Sequence, residues 1–481
     1  MSKADKILIG WGVSDVTPDK PVILRGQFHV RISERVNDSL YATVLALESK
    51  DKKTQAIMVS VDTVGILNCV RDKCREMLTR RIPDFDPRNL FINATHTHTA
   101  PAQPEHNYPP QAPEVMSDEE YFEILTNGIV EAVVDAWKSR KPGVLSWGSG
   151  QAVVGHNRRM TYFDGTSRMY GNTDDESFSH IEGYEDHGVN MLFTYDADRS
   201  LTGMIVNIAC PSQVTEGACF VSADFWHETR MEIRKRHGEN LFILPQCSAA
   251  GDQSPHLMLK KRAEARMLNL KGLGDGGESD RASLKMMMAQ RQEIGNRIAN
   301  AVDEVLPLVA KDIREEVEFY HKIVTLDLPR RMVTDKEKAF AEEQVKLHKE
   351  GLAKSKQDPA DFEYSRNYMR IKYFQAVIDR FESQKTEKIL PIETHIIRLG
   401  EIAFASNRFE YFLDYGERIK ARSKAVQTFV VQLTGAGTYL PTQKAADAKS
   451  YGAGVESNLI GPQGGQLIVN EQIKVINKIF K

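Results

Sequence analysis

Residues 93–101 read Asn-Ala-Thr-His-Thr-His-Thr-Ala-Pro and directly follow the apolar run Leu90-Phe91-Ile92, which predicts a short buried strand. In an extended segment alternate side chains point the same way, so His96 and His98 should face one cleft. Open α/β folds bind ligands at the carboxyl ends of their strands. Histidine is the commonest metal ligand and the usual general base near neutral pH. The sequence therefore predicts a metal or catalytic site here; the alternative is a pair of surface loop histidines.

The composition is that of a globular protein without obvious nucleic-acid affinity. The chain has 481 residues, 41% hydrophobic and 27% charged, with a net charge of −3. This balance gives no basic surface for nucleic acid. No apolar stretch approaches the roughly 18 residues of a membrane-spanning helix, and no signal peptide precedes residue 7, so we expect a cytoplasmic protein. The five cysteines are scattered and odd in number, which argues against a disulfide framework.

Strand and helix patterns alternate along the chain and predict an α/β fold built on a mixed sheet. Residues 56–92 read strand–helix–strand, the length of a βαβ crossover. A capping box at residues 117–120 starts a helix predicted to reach residue 139. Another helix is predicted from 283 to 305, ending before Pro307. Further strands are expected at 40–47, 203–210, 241–244 and 427–433, with a hairpin at 394–405 turning at Gly400.

Three segments stand apart from this alternation. Residues 98–116 contain five prolines and predict an ordered loop over the cleft. Residues 257–282 are rich in Lys, Arg and Gly without periodicity, which we interpret as a mobile surface insertion. Residues 335–384 are highly charged with sparse apolar positions, and predict two antiparallel helices. We interpret this helical insertion as a solvated surface hairpin; the alternative is a partner-binding arm. The whole chain, 1–481, is then one elaborated domain.

Several short motifs, in order along the chain, resemble the neutral/alkaline ceramidase family of zinc amidohydrolases. The histidine motif resembles the family pattern ATHTHS followed by Gly or Ala and Pro, and residues 251–255 resemble GDVSPN. Glu410, with Gly416 downstream, keeps the spacing of the family segment GEFTTMAG. The other matching pieces are residues 12–18, the pair Asn157-Arg158, residues 439–442 with Tyr451, and Gly461-Pro462.

The resemblance implies roles for particular residues. His96, Glu410 and Tyr439 would be zinc ligands, and His98 would sit beside the metal and position or protonate the substrate. Ser254, Arg158 and Tyr451 would line the cleft near the scissile group. Zinc accepts N and O ligands and keeps one position open for water or substrate. Without the resemblance each residue has an ordinary explanation: a helix-start acid, half-buried tyrosines, a turn serine and a surface base.

The sequence also departs from the family pattern. Where the family has another zinc-binding histidine, aligned on the following proline, this chain has Cys210. A thiolate is a good zinc ligand, so we predict that Cys210 replaces this histidine as a ligand. The alternative is that Cys210 is only a buried strand cysteine, and then His227 or His187 would be the further zinc ligand. The glycine-rich continuation after the histidine motif is changed, and the carboxy-terminal immunoglobulin-like domain of longer ceramidases is expected to be missing.

These features predict a zinc-dependent hydrolase that cleaves a C–N amide bond of a soluble, polar small molecule. No amphipathic membrane-docking segment stands out, which argues against a substrate drawn from a bilayer. One alternative is a glycosidase or esterase on the same scaffold, using Asp224 or Asp252 together with Glu410. Another is a non-catalytic binding protein that has lost its zinc. The run of methionines at residues 286–288 suits either a core or an interface, so the sequence is compatible with a homo-oligomer.

Overall fold

The computed structural model describes residues 4–104, 107–274 and 283–481. The strands are β1 Ile7–Asp15, β2 Arg35–Val36, β3 Tyr41–Ser49, β4 Gln55–Val61, β5 Leu90–Ala94, β6 Lys141–Gln151, β7 His156–Asn157, β8 Arg159–Tyr162, β9 Ser167–Met169, β10 Phe178–Ile181, β11 Gly188–Tyr195, β12 Leu201–Ile208, β13 Phe220–Val221, β14 Phe242–Cys247, β15 Gln253–Ser254, β16 Phe319–Pro329, β17 Ile389–Leu399, β18 Ile402–Ser406, β19 Glu410–Tyr411, β20 Gln427–Val431 and β21 Tyr439–Leu440. The α-helices are α1 Asn68–Arg81, α2 Asp118–Lys138, α3 Phe225–His237, α4 Lys261–Leu270, α5 Leu284–Val309, α6 Asp335–Lys354, α7 Phe362–Ser383, α8 Leu413–Arg422, α9 Gln443–Ala448 and α10 Pro462–Ile479, and short 3-10 helices occupy Pro87–Asn89 and Val455–Ser457.

A large mixed sheet forms the centre of the molecule. Its strand order is β14-β12-β11-β6-β1-β3-β4-β5. The outer pairs β4–β5 and β12–β14 are parallel, and the pairs between them are antiparallel. The parallel pair β4–β5 is joined by α1, as the strand–helix–strand pattern predicts. A second, four-stranded sheet has the order β16-β17-β18-β20.

The large sheet is buried on both faces, and its strand sequences show why. In β3, Val44 and Ala46 pack with α1 and α2, while Leu45 and Leu47 point to the opposite face. That opposite face meets the second sheet, where Phe404 and Phe429 stack with ring centroids 4.4 Å apart. Helices α3 and α5 cover the β11–β12 side, and α8 and α10 cover the outside of the second sheet. The result is four layers, helix–sheet–sheet–helix. Alternate residues along the strands of the large sheet pack into two different cores, one on each face.

The α/β prediction is confirmed, with its main local signals. Ser117 and Glu120 form the predicted capping box at the start of α2. The hairpin of β17 and β18 turns at Gly400, whose φ of 57° favours glycine. The five cysteines all lie within the described residues and form no disulfide bond. In the described part of the chain, no helix is long and apolar enough to cross a membrane.

Three sequence interpretations need correction or restriction. Helix α5 does not stop before Pro307 but continues to Val309, because Leu306 and Val309 pack against the core and Ala310 still donates to the Leu306 carbonyl. The segment 257–282 contains helix α4, and its residues 275–282 lie outside the described residues. The charged insertion, residues 335–384, is a helical pair as predicted. It is not simply a solvated hairpin, since one face of α7 lines the cavity that also contains His96 and His98.

Candidate active site

The histidine motif follows β5 and continues its pairing with the segment at the end of β4. Thr95 and His96 donate backbone hydrogen bonds to the carbonyls of Val61 and Thr63, at 3.0 and 2.9 Å. His96 adopts a positive φ of 66°, a left-handed conformation that is uncommon away from glycine. Strained backbone of this kind concentrates at functional sites because the surrounding contacts enforce it.

The threonines of the motif anchor the side away from the cleft. The hydroxyls of Thr97 and Thr99 both donate to the Ser222 carbonyl, at 2.8 and 2.9 Å. The rings of His96 and His98 stand on the other side with centroids 5.0 Å apart. The alternation expected from the sequence therefore places both imidazoles together.

Both imidazoles line a cavity of about 310 Å³. Among the residues predicted as site residues, those that also line it are Glu410, Tyr439 and Tyr451. The remaining walls come from the loop around Arg25, from Val64, from one face of α7 and from the turn near Glu456. Segments distant in sequence thus converge on one pocket, as catalytic pockets commonly do.

The hydrogen bond of His96 fixes which ring nitrogen is free. Its Nδ1 lies 2.6 Å from the Val64 carbonyl, which can only accept, so Nδ1 carries the hydrogen. Its Nε2 therefore presents a lone pair, 3.5 Å from Oε2 of Glu410. Burial, reinforced by His98, holds the pKa of His96 well below its usual value. Two acceptor atoms facing each other in this way suit a shared cation, and an imidazole oriented by a carbonyl is the usual arrangement of a metal-bound histidine.

Glu410 and Tyr439 are brought side by side by the parallel pairing of β19 with β21. Burial raises the pKa of Glu410, although the charge of Arg158 opposes the shift. Burial, with the nearby Glu410, also raises the pKa of Tyr439 well above its ordinary value. A Cβ on Gly251 would lie 2.4 Å from the Glu410 carbonyl oxygen, so the glycine permits this close approach. His96, Glu410 and Tyr439 therefore form a set of N and O donors that fits zinc.

His98 is held by a carboxylate that sequence reasoning missed. Its Nδ1 lies 3.3 Å from Oε2 of Glu216, and His256 approaches the other carboxylate oxygen at 3.5 Å. Burial would raise the pKa of Glu216, but hydrogen bonds and charges from His256 and His98 outweigh it and lower the pKa. Glu216 lies in a turn before β13 and carries no motif, so only the tertiary fold reveals it.

Arg158 and Ser254 lie behind the cavity wall. Arg158 donates to the hydroxyls of Tyr439 at 3.2 Å and Tyr170 at 3.1 Å. Tyr170 also accepts from the Gln213 amide at 2.8 Å, which leaves its own hydrogen for Ser254, 3.2 Å away. Tyr170 has a positive φ of 55°. Arg158 thus contacts Tyr439 directly and Ser254 contacts Tyr170. Neither is among the described residues that line the cavity, whereas the sequence predicted that both line the cleft.

Cys210 is buried in the core between the large sheet and α3 and α5, and it is absent from the described residues that line the cavity. Its thiol donates to the Pro211 carbonyl at 3.4 Å, and burial raises its pKa well above the ordinary value. His187, beside Glu185 at 3.4 Å, and His227 do not line the cavity either. Within the described residues, no three His, Cys, Asp or Glu side chains group as a metal site.

The carboxylates considered for a glycosidase site have structural partners. Asp224 caps α3 and accepts hydrogen bonds from the backbone of Val214 and Thr215, at 3.1 and 2.8 Å. Asp252 accepts from Leu413 N–H at 2.8 Å and from the Asn157 amide at 3.0 Å. Neither is among the described residues that line the cavity, so neither pairs with Glu410 across it.

Comparison with known proteins decides the family. The amino-terminal sequence profile of the neutral/alkaline non-lysosomal ceramidases matches residues 7–392, well over half of the chain. The chain belongs to this family. The neutral ceramidase of Pseudomonas aeruginosa is 27% identical over 169 residues, covering 34% of this chain and 24% of that protein. The chain therefore matches about a quarter of the length of this curated relative.

Solved ceramidase structures share the fold. The crystal structure of the neutral ceramidase from Pseudomonas aeruginosa superposes with a TM-score of 0.68 at 19% identity, covering 98% of this chain and 75% of that one. A ceramidase complexed with C2 gives a TM-score of 0.66 at 18% identity, covering 98% and 76%. This confirms the mixed α/β ceramidase-like architecture expected from the sequence.

Proposed function

We propose that this member of the ceramidase family is a zinc-dependent hydrolase that cleaves a C–N amide bond of a soluble, polar substrate. The observation that carries the proposal is the pairing of the unprotonated His96 Nε2 with the Glu410 carboxylate at 3.5 Å, beside Tyr439 in an open cavity. Family membership supports hydrolysis of an N-acyl bond, and the donor set supports the metal.

His96, Glu410 and Tyr439 would hold the metal, and Cys210 is proposed as a further ligand on the family motif alone. Bound zinc supplies a Lewis acid that polarises a carbonyl and lowers the pKa of water. His98 would accept or return the proton at Nε2, because Glu216 faces its Nδ1 and fixes the ring orientation. Arg158 would stabilise negative charge on the Tyr439 oxygen that it contacts at 3.2 Å.

Charged groups on the cavity wall support a polar substrate. Arg25, Lys372 and Glu456 line the cavity together with the half-exposed Tyr451. An approach lined only by apolar side chains would suit a lipid taken from a bilayer, whereas these charged groups must stay hydrated or meet polar groups.

Metal content tests the proposal directly. We expect about one zinc per chain by elemental mass spectrometry, and loss of zinc in His96→Ala and in Glu410→Gln. His187→Ala, which removes a histidine outside the cavity, is the control and should keep the metal. A parallel Cys210→Ala variant decides whether the thiol is a ligand.

Activity on matched substrates tests the reaction. The protein should hydrolyse an N-acyl amine faster than the corresponding glycoside or O-acyl ester. Absence of stoichiometric zinc after reconstitution would contradict the metal site, and exclusive cleavage of the glycoside or ester would contradict amide hydrolysis.

A further inference from the structure

The cavity has a cationic side that the hydrolytic groups do not explain. Arg25 and Lys372 both line it, on the loop after β1 and on α7. In the described part of the chain, no carboxylate lies within ion-pair distance of either; each approaches one aromatic ring instead, Tyr108 at 5.9 Å for Arg25 and Tyr368 at 5.7 Å for Lys372. Two cations that line one cavity, with no carboxylate among the described residues within ion-pair distance, favour an anionic ligand.

Arg25 also stands close to the hydrolytic groups. It lines the same cavity as Glu410 and Tyr451. The next residue, Gly26, lies against His98: a Cβ there would meet the ring at 2.6 Å. A substrate group that contacts Arg25 would therefore lie in the same cavity as a scissile group placed between His98 and Glu410.

The wall beside the cations is aromatic. Phe28 packs edge-on against Tyr373 of α7, with centroids 4.9 Å apart, and against Tyr451 at 6.0 Å. The Arg370 guanidinium lies 3.9 Å from the Phe28 ring centroid and adds positive charge behind this wall. An aromatic surface next to fixed cations suits an apolar chain attached to an anionic group.

We propose that Arg25 and Lys372 select an N-acyl amine whose amine portion carries an anionic group, a carboxylate or a phosphate. The inference rests on the proposed amide hydrolysis and specifies its substrate class. Arg25 binds the anion near the reaction centre, and Lys372 attracts it from the solvent-exposed end of the cavity. The aromatic wall of Phe28, Tyr373 and Tyr451 contacts the acyl chain. The hairpin of α6 and α7 is then a specificity element.

Two pairs of matched probes, each pair with and without an anionic group, test this inference. N-octanoylglycine is compared with N-octanoylglycinamide, and N-octanoylphosphoethanolamine with N-octanoylethanolamine, so that carboxylate and phosphate are assayed separately. The wild type should show a higher kcat/KM for the anionic member of at least one pair. This preference should shrink as ionic strength rises, since salt screens exposed charges.

Variants assign the preference to the two cations. Lys372→Gln should lower the anionic-to-neutral ratio about fivefold, as expected for an exposed charge pair. Arg25→Gln should lower it about tenfold or more, because its charge is better shielded from water, and Arg25→Lys should restore part of it. Lys349→Gln on the exposed face of α6 is the matched control and should keep the ratio. Unchanged ratios in both cavity variants, with thermal unfolding like that of the wild type, would overturn the inference.

Binding measurements distinguish failure of this inference from failure of the proposed function. If no amide is hydrolysed, the hydrolase proposal fails, and calorimetry with N-octanoylglycine and N-octanoylglycinamide still measures charge selectivity. Tighter binding of the anion, weakened by Lys372→Gln, supports the anion site on its own. Equal affinity for both probes overturns it, whatever the hydrolysis assay shows.

Discussion

At the scale of single residues, Glu216 is the least conspicuous member of the site in the sequence, yet in the structure it lies against two histidines. Its carboxylate lies between His98 and His256, at 3.3 and 3.5 Å. Glu216→Gln keeps the volume but removes the charge that orients and stabilises a protonated His98. We expect kcat/KM to fall roughly 10–100-fold, the range found for groups that orient site histidines, with zinc content unchanged.

The matched control is Glu185→Gln, which removes a carboxylate beside His156 and His187 outside the cavity. Equal losses of activity in the two variants would show that Glu216 contributes only general stability.

Gly26 should tolerate no side chain. Its φ is +123°, and a Cβ would lie 2.6 Å from the His98 ring, so Gly26→Ala both strains the backbone and displaces the imidazole. We expect a loss of about 1–3 kcal/mol in unfolding free energy and a marked fall in kcat.

Gly65→Ala is the comparison, because nothing lies within 4 Å of a Cβ at Gly65. Denaturant unfolding and steady-state kinetics measure both effects. Wild-type kinetics in Gly26→Ala would show that the His98 ring can shift without cost.

At the scale of elements, the contact between α1 and β17 makes stability depend on pH. Arg75 of α1 forms an ion pair with Glu393 of β17 at 2.6 Å, and His395 contacts the same carboxylate at 2.9 Å. Burial would raise the pKa of Glu393, but hydrogen bonds from His395 and Arg75 outweigh it and lower the pKa.

Because the folded-state pKa of Glu393 lies below the unfolded value, the ionised carboxylate stabilises the fold above about pH 4. This contribution is lost as pH falls further toward the folded-state pKa. Urea midpoints measured from pH 7 down to pH 3 should fall less steeply for Glu393→Gln than for the wild type. If the urea midpoints of the two proteins fall equally with pH, Glu393 is not the source of this pH dependence.

Local signals predicted most elements, but not which elements form the site. The capping box of α2, the turn at Gly400 and the βαβ unit depend on neighbouring residues, and the sequence displays them directly. The charged pattern of α7 predicts a solvated helix, yet not that Met369, Lys372 and Tyr373 line a cavity. Likewise the family motif marked Arg158 and Ser254, while only the structure shows that Arg158 contacts the Tyr439 hydroxyl and Ser254 that of Tyr170.

At the scale of the whole molecule, the site depends on how the two sheets meet. His96 and His98 follow a strand of the large sheet, whereas Glu410 and Tyr439 follow strands of the second. Phe404 is buried in the core between the sheets. Phe404→Ala should cost about 3–5 kcal/mol of unfolding free energy and also weaken binding of the proposed zinc, because the residues proposed as its ligands follow strands of different sheets.

Phe163→Ala removes the same ring from a position that is 75% exposed and should change unfolding by less than about 0.5 kcal/mol. Unfolding and zinc titrations of both variants check this prediction. Zinc affinity that is unaffected by Phe404→Ala would mean that the ligands are held independently of the sheet packing.

The wide separation of His96, Glu410 and Tyr451 along the chain has a consequence for biosynthesis. Translation delivers the histidine motif well before Glu410 and the tyrosines, so a growing chain holds an incomplete pocket until the segment with Tyr451 emerges. Premature termination before Tyr439 should therefore yield products that lack the assembled pocket altogether. Ligand capture would then report that synthesis has passed Tyr451, and a bound metal would hold together segments that are far apart in the sequence.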